Sequence, residues 1–208
     1  MSDAQQIEMT PGDSATEHAT SPTQPRTRYL PGDGAMWFFV LGDMIIFASY
    51  FVAFMIFRRR EASAFIAAQN NMYLDLGVVN TLLLVFSSWL AARAVLAARS
   101  RDGERTTRLL AATGACGVLF IVLKLSEWWL EVSAGHTFPS GTFMSFYYVL
   151  TGVHMLHVVM GLSILTVVVV YIRRNADPRA PVVEQGTTFW HMVDLLWVII
   201  FALLYVMR

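Results

Sequence analysis

The chain has 208 residues, of which 56% are hydrophobic and 14% are charged, and its formal net charge at pH 7 is zero. An apolar share this large excludes an ordinary soluble domain, and the balanced charge gives no indication of nucleic-acid binding. Cys116 is the only cysteine, which excludes an internal disulfide, a CxxCH haem-attachment motif and a copper pair bridged by two thiolates.

The first 34 residues are rich in Pro, Ser, Thr and acidic residues and contain no apolar run. This composition is typical of a disordered segment, and it differs from a cleavable signal peptide, which has an apolar core. We therefore predict a disordered tail over residues 1–34 and a membrane domain over residues 35–208. The first span, uncleaved, is expected to act as the insertion signal.

Five blocks of the remaining chain meet the length requirement of a transmembrane helix, which is about 20 mostly apolar residues. Their close spacing leaves no room for a folded soluble domain. The sequence therefore predicts an all-α, polytopic membrane protein, a bundle of five transmembrane helices. The predicted spans are Met36–Phe57, Leu76–Ala98, Arg108–Leu130, Phe143–Ile172 and Gly186–Met207.

The distribution of basic residues predicts the orientation of these spans, because cytoplasmic loops carry an excess of Lys and Arg. The tail and the loops after spans two and four share one side, where ten arginines lie, against four on the other side. We therefore expect a cytoplasmic amino terminus and a carboxy terminus outside. The run Arg58–Arg60 after span one favours the opposite orientation.

Seven Asp, Glu, His and Lys residues fall within the predicted spans. Lipid cannot hydrogen-bond them, so such groups usually face the bundle interior, are paired or neutral, and are candidates for function. Three pairs are spaced three residues apart and so share a helix face, whereas one carboxylate stands alone on its helix. The residues are the pairs Lys124–Glu127, His154–His157 and His191–Asp194, and the single Asp43.

Small and polar residues form stripes on three of the predicted helices. Small residues let helices approach closely, so we expect these faces to point inward. By contrast, Trp37 and Trp190 lie near span ends, where tryptophans often form an interfacial belt. The stripes contain Asn80 and Ser87 in span two, Gly117, Lys124 and Glu131 in span three, and Thr151, His154, His157 and Gly161 in span four.

The polar residues leave two mechanistic classes open. His154, His157, His191 and Glu127 are residue types that could ligate a metal or haem in a stand-alone membrane protein. Alternatively, each histidine donates an interhelical hydrogen bond, and Lys124–Glu127 is a self-neutralising ion pair, in a subunit without catalytic groups. No internal repeat or broken pair of half-helices indicates a stand-alone carrier.

Two segments favour the second class. TGVHMLHVVMG (Thr151–Gly161) and FWHMVDLLWVIIFALLY (Phe189–Tyr205) resemble subunit III of the haem–copper oxidases. MWFFVLGDMIIFASYF (Met36–Phe51) resembles the helix of that family that bears a membrane carboxylate, and LKLSEWW (Leu123–Trp129) resembles its glutamate-bearing helix. The chain is similar to short bacterial forms that lack the first two spans of the mitochondrial subunit. GDGAMWFFVLGDM and Val79–Val95 resemble the branch named for nitric oxide reductase gene clusters.

The resemblance implies an accessory subunit of the bacterial cytoplasmic membrane that contacts phospholipid and holds no cofactor. Haem and copper are then expected in the partner, the catalytic subunit I of an oxidase or nitric oxide reductase, which this chain stabilises and whose proton uptake it supports. Asp43 stands where oxidase members usually have Glu, and Lys124 is outside the family pattern. A proton-exchanging role of Asp43 is therefore a hypothesis.

Overall fold

The computed structural model describes residues 34–70, 72–135, 137–138, 141–175 and 179–207. Only Gly34 of the predicted tail 1–34 lies within these residues. The elements in chain order are α1 (Gly34–Arg60), α2 (Ala62–Asn70), α3 (Leu74–Arg99), α4 (Gly103–Ser133), α5 (Thr142–Asn175), α6 (Ala180–Phe201) and a closing π-helical turn (Ala202–Val206).

All of these elements are helical, and five helices (α1, α3, α4, α5, and α6 with its closing turn) are long and apolar enough to cross a membrane. The prediction of an all-α chain with five spans is therefore confirmed. The helices begin before the predicted spans, and for α4 and α6 the residues at the start explain why. Asp102 caps α4 by accepting a hydrogen bond from the Arg105 amide at 2.9 Å, and Pro181 occupies the first turn of α6, where its missing N–H costs nothing.

Helix α2 was not predicted, because its nine residues are too short and too mixed in character to form a span. Phe65 is its buried anchor, packing edge-on against Phe54 of α1 at 5.4 Å and Phe143 of α5 at 5.5 Å between ring centroids. The short helix thus ties the chain after α1 back onto the bundle.

Helices α3, α4, α5 and α6 form the body of the bundle, and α6 has the largest buried share of any span. Helix α1 packs on α5 and α6 through one narrow stripe. That stripe consists of Val40, Phe47 and Phe54, which follow each other at seven-residue intervals, close to two helical turns.

Trp190 contradicts its prediction as an interfacial residue. Its side chain is completely buried, and its indole N–H donates to Ser87 Oγ at 3.0 Å. Space for the ring comes from Gly117 and Gly161, where an added Cβ would lie 2.5 Å and 2.9 Å from ring atoms of Trp190. The predicted inward orientation of the small-residue stripes is confirmed, and the stripes explain why so large a side chain fits there.

Candidate functional site

A buried ion pair lies on α4. Lys124 Nζ is 3.0 Å from Glu127 Oε1, and both side chains have no solvent exposure. The three-residue spacing places the two groups on one helix face, which is the geometry that the sequence indicated. The predicted pair is thus present. Its neighbours explain how two charges are stabilised in the interior of the bundle.

Two tyrosines complete this charge cluster, which consists of Lys124, Glu127, Tyr147 and Tyr205. The Tyr147 hydroxyl, from α5, donates to Glu127 Oε1 at 2.8 Å, and the Tyr205 hydroxyl, from the closing turn, donates to the same oxygen. Both hydroxyl oxygens also accept from Lys124 Nζ, at 3.2 Å and 2.7 Å. Each tyrosine therefore links the ammonium to the carboxylate, which a hydroxyl can do because it is both donor and acceptor.

Aromatic rings surround the Lys124 ammonium. Its Nζ lies 4.7 Å, 5.2 Å and 5.3 Å from the ring centroids of Tyr147, Trp197 and Tyr205, within the range of cation–π attraction. Sequence reasoning missed both tyrosines, since they come from other helices and have no fixed spacing from Lys124. The cluster joins α4, α5 and the end of the chain.

Asp43 is the single Asp, Glu, His or Lys residue within the first predicted span, and in the structure it pairs with His157 of α5. His157 Nε2 lies 3.1 Å from Asp43 Oδ1 and 3.0 Å from Oδ2, and both side chains are about nine-tenths buried. His157 Nδ1 lies 2.7 Å from the Val153 carbonyl. A carbonyl only accepts, so Nδ1 carries hydrogen, and the contact between Nε2 and the carboxylate needs one further proton. One proton therefore lies between His157 Nε2 and the Asp43 carboxylate, bound to one of the two groups.

His191 and Asp194 form a third polar site with Ser88 of α3. His191 Nδ1 lies 2.6 Å from Ser88 Oγ. Ser88 also interacts with the Asp194 carboxylate, although neither carboxylate oxygen meets hydrogen-bond geometry with a described residue. The predicted pairing partner of His191 was Asp194 on its own helix; the observed one is Ser88 on the neighbouring helix.

The remaining predicted residues lie at helix interfaces. Thr151 accepts from Trp128 Nε1 at 3.2 Å and donates to the Tyr147 carbonyl at 2.6 Å. Ser87 accepts from Trp190 and donates to the Leu84 carbonyl at 2.8 Å. These hydroxyls join adjacent helices, as expected of polar groups in a bundle.

Asn80 and His154 are fully buried, yet their side-chain polar atoms have no hydrogen-bond partner among the described residues. His154 lies between aromatic rings, with centroids 5.7 Å from Phe120 and 5.1 Å from Trp197. The interhelical hydrogen bond expected of His154 is therefore not seen, and its imidazole packs as an aromatic ring instead.

The candidate metal ligands do not come together. Within the described part of the chain, no group of three or more His, Cys, Asp and Glu side chains could hold a metal ion. His157 faces Asp43, His191 faces Ser88, and His154 lies among aromatic rings. The geometry thus does not assemble His154, His157, His191 and Glu127 into the shared site required by the metal or haem alternative.

Comparison with known proteins gives the same family as the motifs. The profile described as cytochrome c oxidase subunit III matches residues 32–208. Cytochrome c oxidase subunit 3 of Alkalihalophilus pseudofirmus is 29% identical, with 89% of this chain and 93% of that protein covered. Cytochrome bo(3) ubiquinol oxidase subunit 3 of Buchnera aphidicola is 27% identical, over 81% of this chain and 88% of that protein.

A third relative is a fusion. The heme-copper oxidase subunit I+III of Aeropyrum pernix is 29% identical over 82% of this chain, which matches 22% of that longer protein. The similarity thus extends to proteins named for cytochrome c oxidases, for a ubiquinol oxidase and for a joined subunit I+III. Because the family profile matches nearly everything after the tail, the chain belongs to the cytochrome c oxidase subunit III family.

Proposed function

We propose that this protein is an accessory subunit that binds and stabilises the catalytic subunit I of a respiratory haem–copper enzyme. The observation that carries the proposal is the family match over residues 32–208. The fused relative named subunit I+III adds support, since joining two chains in one polypeptide fits subunits that work side by side. Haem and copper then belong to the partner.

The polar groups of this chain support a structural role. The charge cluster links α4, α5 and the closing turn, and the Asp43–His157 pair links α1 to α5. Such groups are costly in a membrane interior and stabilise a bundle when they satisfy each other. They therefore act to hold α1, α4, α5 and the closing turn in one arrangement for a partner to bind.

An oxidase is the first candidate for the partner, because the relatives above are named for cytochrome c and ubiquinol oxidases. A nitric oxide reductase is the second candidate, favoured by the resemblance of GDGAMWFFVLGDM and of Val79–Val95 to the branch named for those gene clusters. The same membrane-embedded role serves either enzyme.

A supporting role in proton uptake rests on the Asp43–His157 pair. The contact between His157 Nε2 and the Asp43 carboxylate needs one proton, and the Asp43 and His157 side chains are 12% and 9% exposed, so the pair is not completely closed off. With the amino terminus in the cytoplasm, as the arginine distribution predicts, Asp43 would exchange protons with a path from that side.

Membrane phospholipid is a further proposed partner. An open groove of about 600 Å³ between α1, α5 and α6 is lined mainly by apolar side chains, including Phe39, Ile164 and Phe189, with Ser163 and Gln185 as polar exceptions. This lining is suited to acyl chains. The proposed location is the bacterial cytoplasmic membrane, and the arginine distribution favours a carboxy terminus outside the cell.

Affinity purification from native membranes tests the proposal. An affinity tag on the chain is expected to recover subunit I of a haem–copper enzyme in a near-equal amount, identified by mass spectrometry. Consumption of oxygen by the purified complex would identify an oxidase, and consumption of nitric oxide would identify a reductase. Recovery of the chain without any haem–copper polypeptide, under conditions that keep respiratory complexes intact, would overturn the proposal.

A further inference from the structure

A groove with a polar floor lies on the outer face of the bundle between α3 and α6. Its volume is about 440 Å³, and Ser88, His191 and Asp194 lie in it. The apolar side chains around these groups are open to the surroundings, with Trp89 52% and Leu195 49% exposed. Ionisable and hydrogen-bonding groups therefore underlie an otherwise lipid-like surface.

Asp194 lacks the donors that a buried carboxylate needs. It is 95% buried, since only 5% of its surface is exposed, and neither of its oxygens meets hydrogen-bond geometry with a described residue. Ser88 is the polar neighbour, but its hydroxyl has one proton and already lies 2.6 Å from His191 Nδ1. Even if that proton is directed at Asp194, one carboxylate oxygen remains without a donor.

The groove lies deep in the membrane. Asp194 is about one residue, and Ser88 about two residues, from the middle of the spans Ala180–Val206 and Leu74–Arg99. At about 1.5 Å per residue both are within ~3 Å of the span centres. Acyl chains offer no donor at that depth, so any donor for Asp194 beyond Ser88 would come from another protein.

We infer that this groove is the docking site for a transmembrane helix of the catalytic subunit, and that this helix directs a hydrogen-bond-donating side chain at Asp194. The inference rests on the proposed function and specifies the contact surface. A second copy of this chain is a poor occupant, because a symmetric contact would bring two Asp194 carboxylates, both acceptors, face to face. A donor-bearing helix is complementary to the floor, and the apolar rim packs around it.

Site-specific photo-crosslinking in native membranes locates the contact. p-Benzoylphenylalanine in place of Trp89 or Leu195 is expected to give an adduct with the catalytic subunit, identified by mass spectrometry. The matched control is the same group in place of Leu156, which is 67% exposed on α5; the adduct from the groove positions should exceed that from Leu156 several-fold. Adducts that contain only lipid, a second copy or a different subunit, in a complex that retains this chain, would overturn the inference.

Substitution of Asp194 tests the donor. Asp194→Leu is expected to weaken retention of the chain in the detergent-purified complex by about 3- to 30-fold, the factor that corresponds to an interhelical hydrogen bond. Asp194→Asn, which keeps an acceptor oxygen, is expected to retain the chain. Ser126→Leu is the control, because Ser126 is exposed on α4 and bonds only its own helix in the described structure, at the Val122 carbonyl.

Thermal unfolding of the isolated full chain separates docking from folding. Asp194→Leu should leave its midpoint unchanged or higher, because a buried carboxylate with at most the Ser88 hydroxyl as donor stabilises the isolated chain less than an apolar side chain does. Two results for Asp194→Leu would overturn the inference while leaving the accessory role intact. One is a lower unfolding midpoint of the isolated chain together with weaker retention in the complex; the other is normal retention. Failure to recover any haem–copper polypeptide with the unaltered chain would instead overturn the proposed function.

Discussion

At the scale of single residues, the chain places full or partial charges where lipid cannot solvate them and satisfies most of them across helices. Glu127 Oε1 receives hydrogen bonds from Lys124, Tyr147 and Tyr205, and Asp43 meets His157. An ion pair of this kind is costly to assemble and more costly to break, because removal of one partner leaves the other charge buried.

Breaking the ion pair at one end should therefore destabilise the bundle more than removing it whole. Glu127→Leu or Lys124→Met alone is expected to lower the free energy of unfolding by about 3–5 kcal/mol. The double substitution should cost less than the sum of the two, because no charge is left without its partner. Thermal unfolding of the purified chain measures this, with Ser126→Ala as the control on the same helix. Additive losses would contradict the coupling.

The Asp43–His157 pair leads to a prediction about turnover. Asp43→Asn removes the carboxyl group of the pair and is expected to slow proton uptake, or to raise the rate of inactivation during sustained turnover of the complex. Asp43→Glu, which keeps the carboxyl group, should retain most of the proton uptake and of the resistance to inactivation. Initial rate and loss of activity over repeated turnover are the measurements. If Asp43→Asn changes neither, the proton-exchange role is wrong.

At the scale of elements, glycines set the distances between helices. Gly117 of α4 and Gly161 of α5 both face the Trp190 ring of α6, so one large side chain fills the space that two small residues leave. The inward faces were predictable from the stripes in the sequence, whereas the identity of the residue filling them was not. The predicted span began at Gly186, which put Trp190 near its end. Helix α6 begins at Ala180, so Trp190 lies well inside the bundle.

Gly117→Ala should therefore be destabilising. The added Cβ would lie 2.5 Å from Trp190 Cη2 and 3.0 Å from Leu162 Cδ2, so packed side chains would have to move. Overpacking of this kind costs about 1–3 kcal/mol. Gly114→Ala is the matched control one turn earlier, where the nearest atom is 3.7 Å away. The midpoint of thermal unfolding should fall for Gly117→Ala alone, and equal behaviour of both variants would refute this packing account.

The closing turn depends on the short helix α2. Gln69 Nε2 donates to the carbonyls of Leu203 and Leu204, at 3.2 Å and 3.1 Å, which belong to a helix end whose last carbonyls lack helical partners. This turn carries Tyr205 into the charge cluster. This link was not predictable from sequence, since Gln69 lies more than 130 residues from its acceptors.

Removing this side chain should loosen the end of the protein. Gln69→Leu is expected to increase amide hydrogen exchange several-fold over residues 202–207, with little change in α3 and α4. Ser63→Ala, at an exposed position of α2, is the control and should leave exchange unchanged. Hydrogen exchange with mass spectrometry distinguishes the two outcomes, and unaltered exchange in Gln69→Leu would contradict the proposed support.

At the scale of the whole molecule, fold class and family were predictable from hydropathy and motifs, because these two features depend only on residues that are close together in the sequence. The partners of the polar groups were less accessible. Lys124–Glu127 lies on one helix and was predictable from spacing, whereas Asp43–His157 and Ser88–His191 join residues more than 100 positions apart. Pairing across helices depends on packing order, which span lengths and compositions do not specify.

If this chain is a cofactor-free accessory subunit, all haem and metal of the complex should remain with the other subunits when the complex is separated. After mild dissociation of the purified complex, iron, copper and zinc analysis with an optical haem spectrum would be carried out on this chain and on the remaining subunits. We expect the remaining subunits to hold all the haem and copper and to catalyse initial turnover, and this chain to hold no stoichiometric metal. Haem or metal that travels with this chain, and is lost on substitution of His154, His157 or His191, would contradict the account.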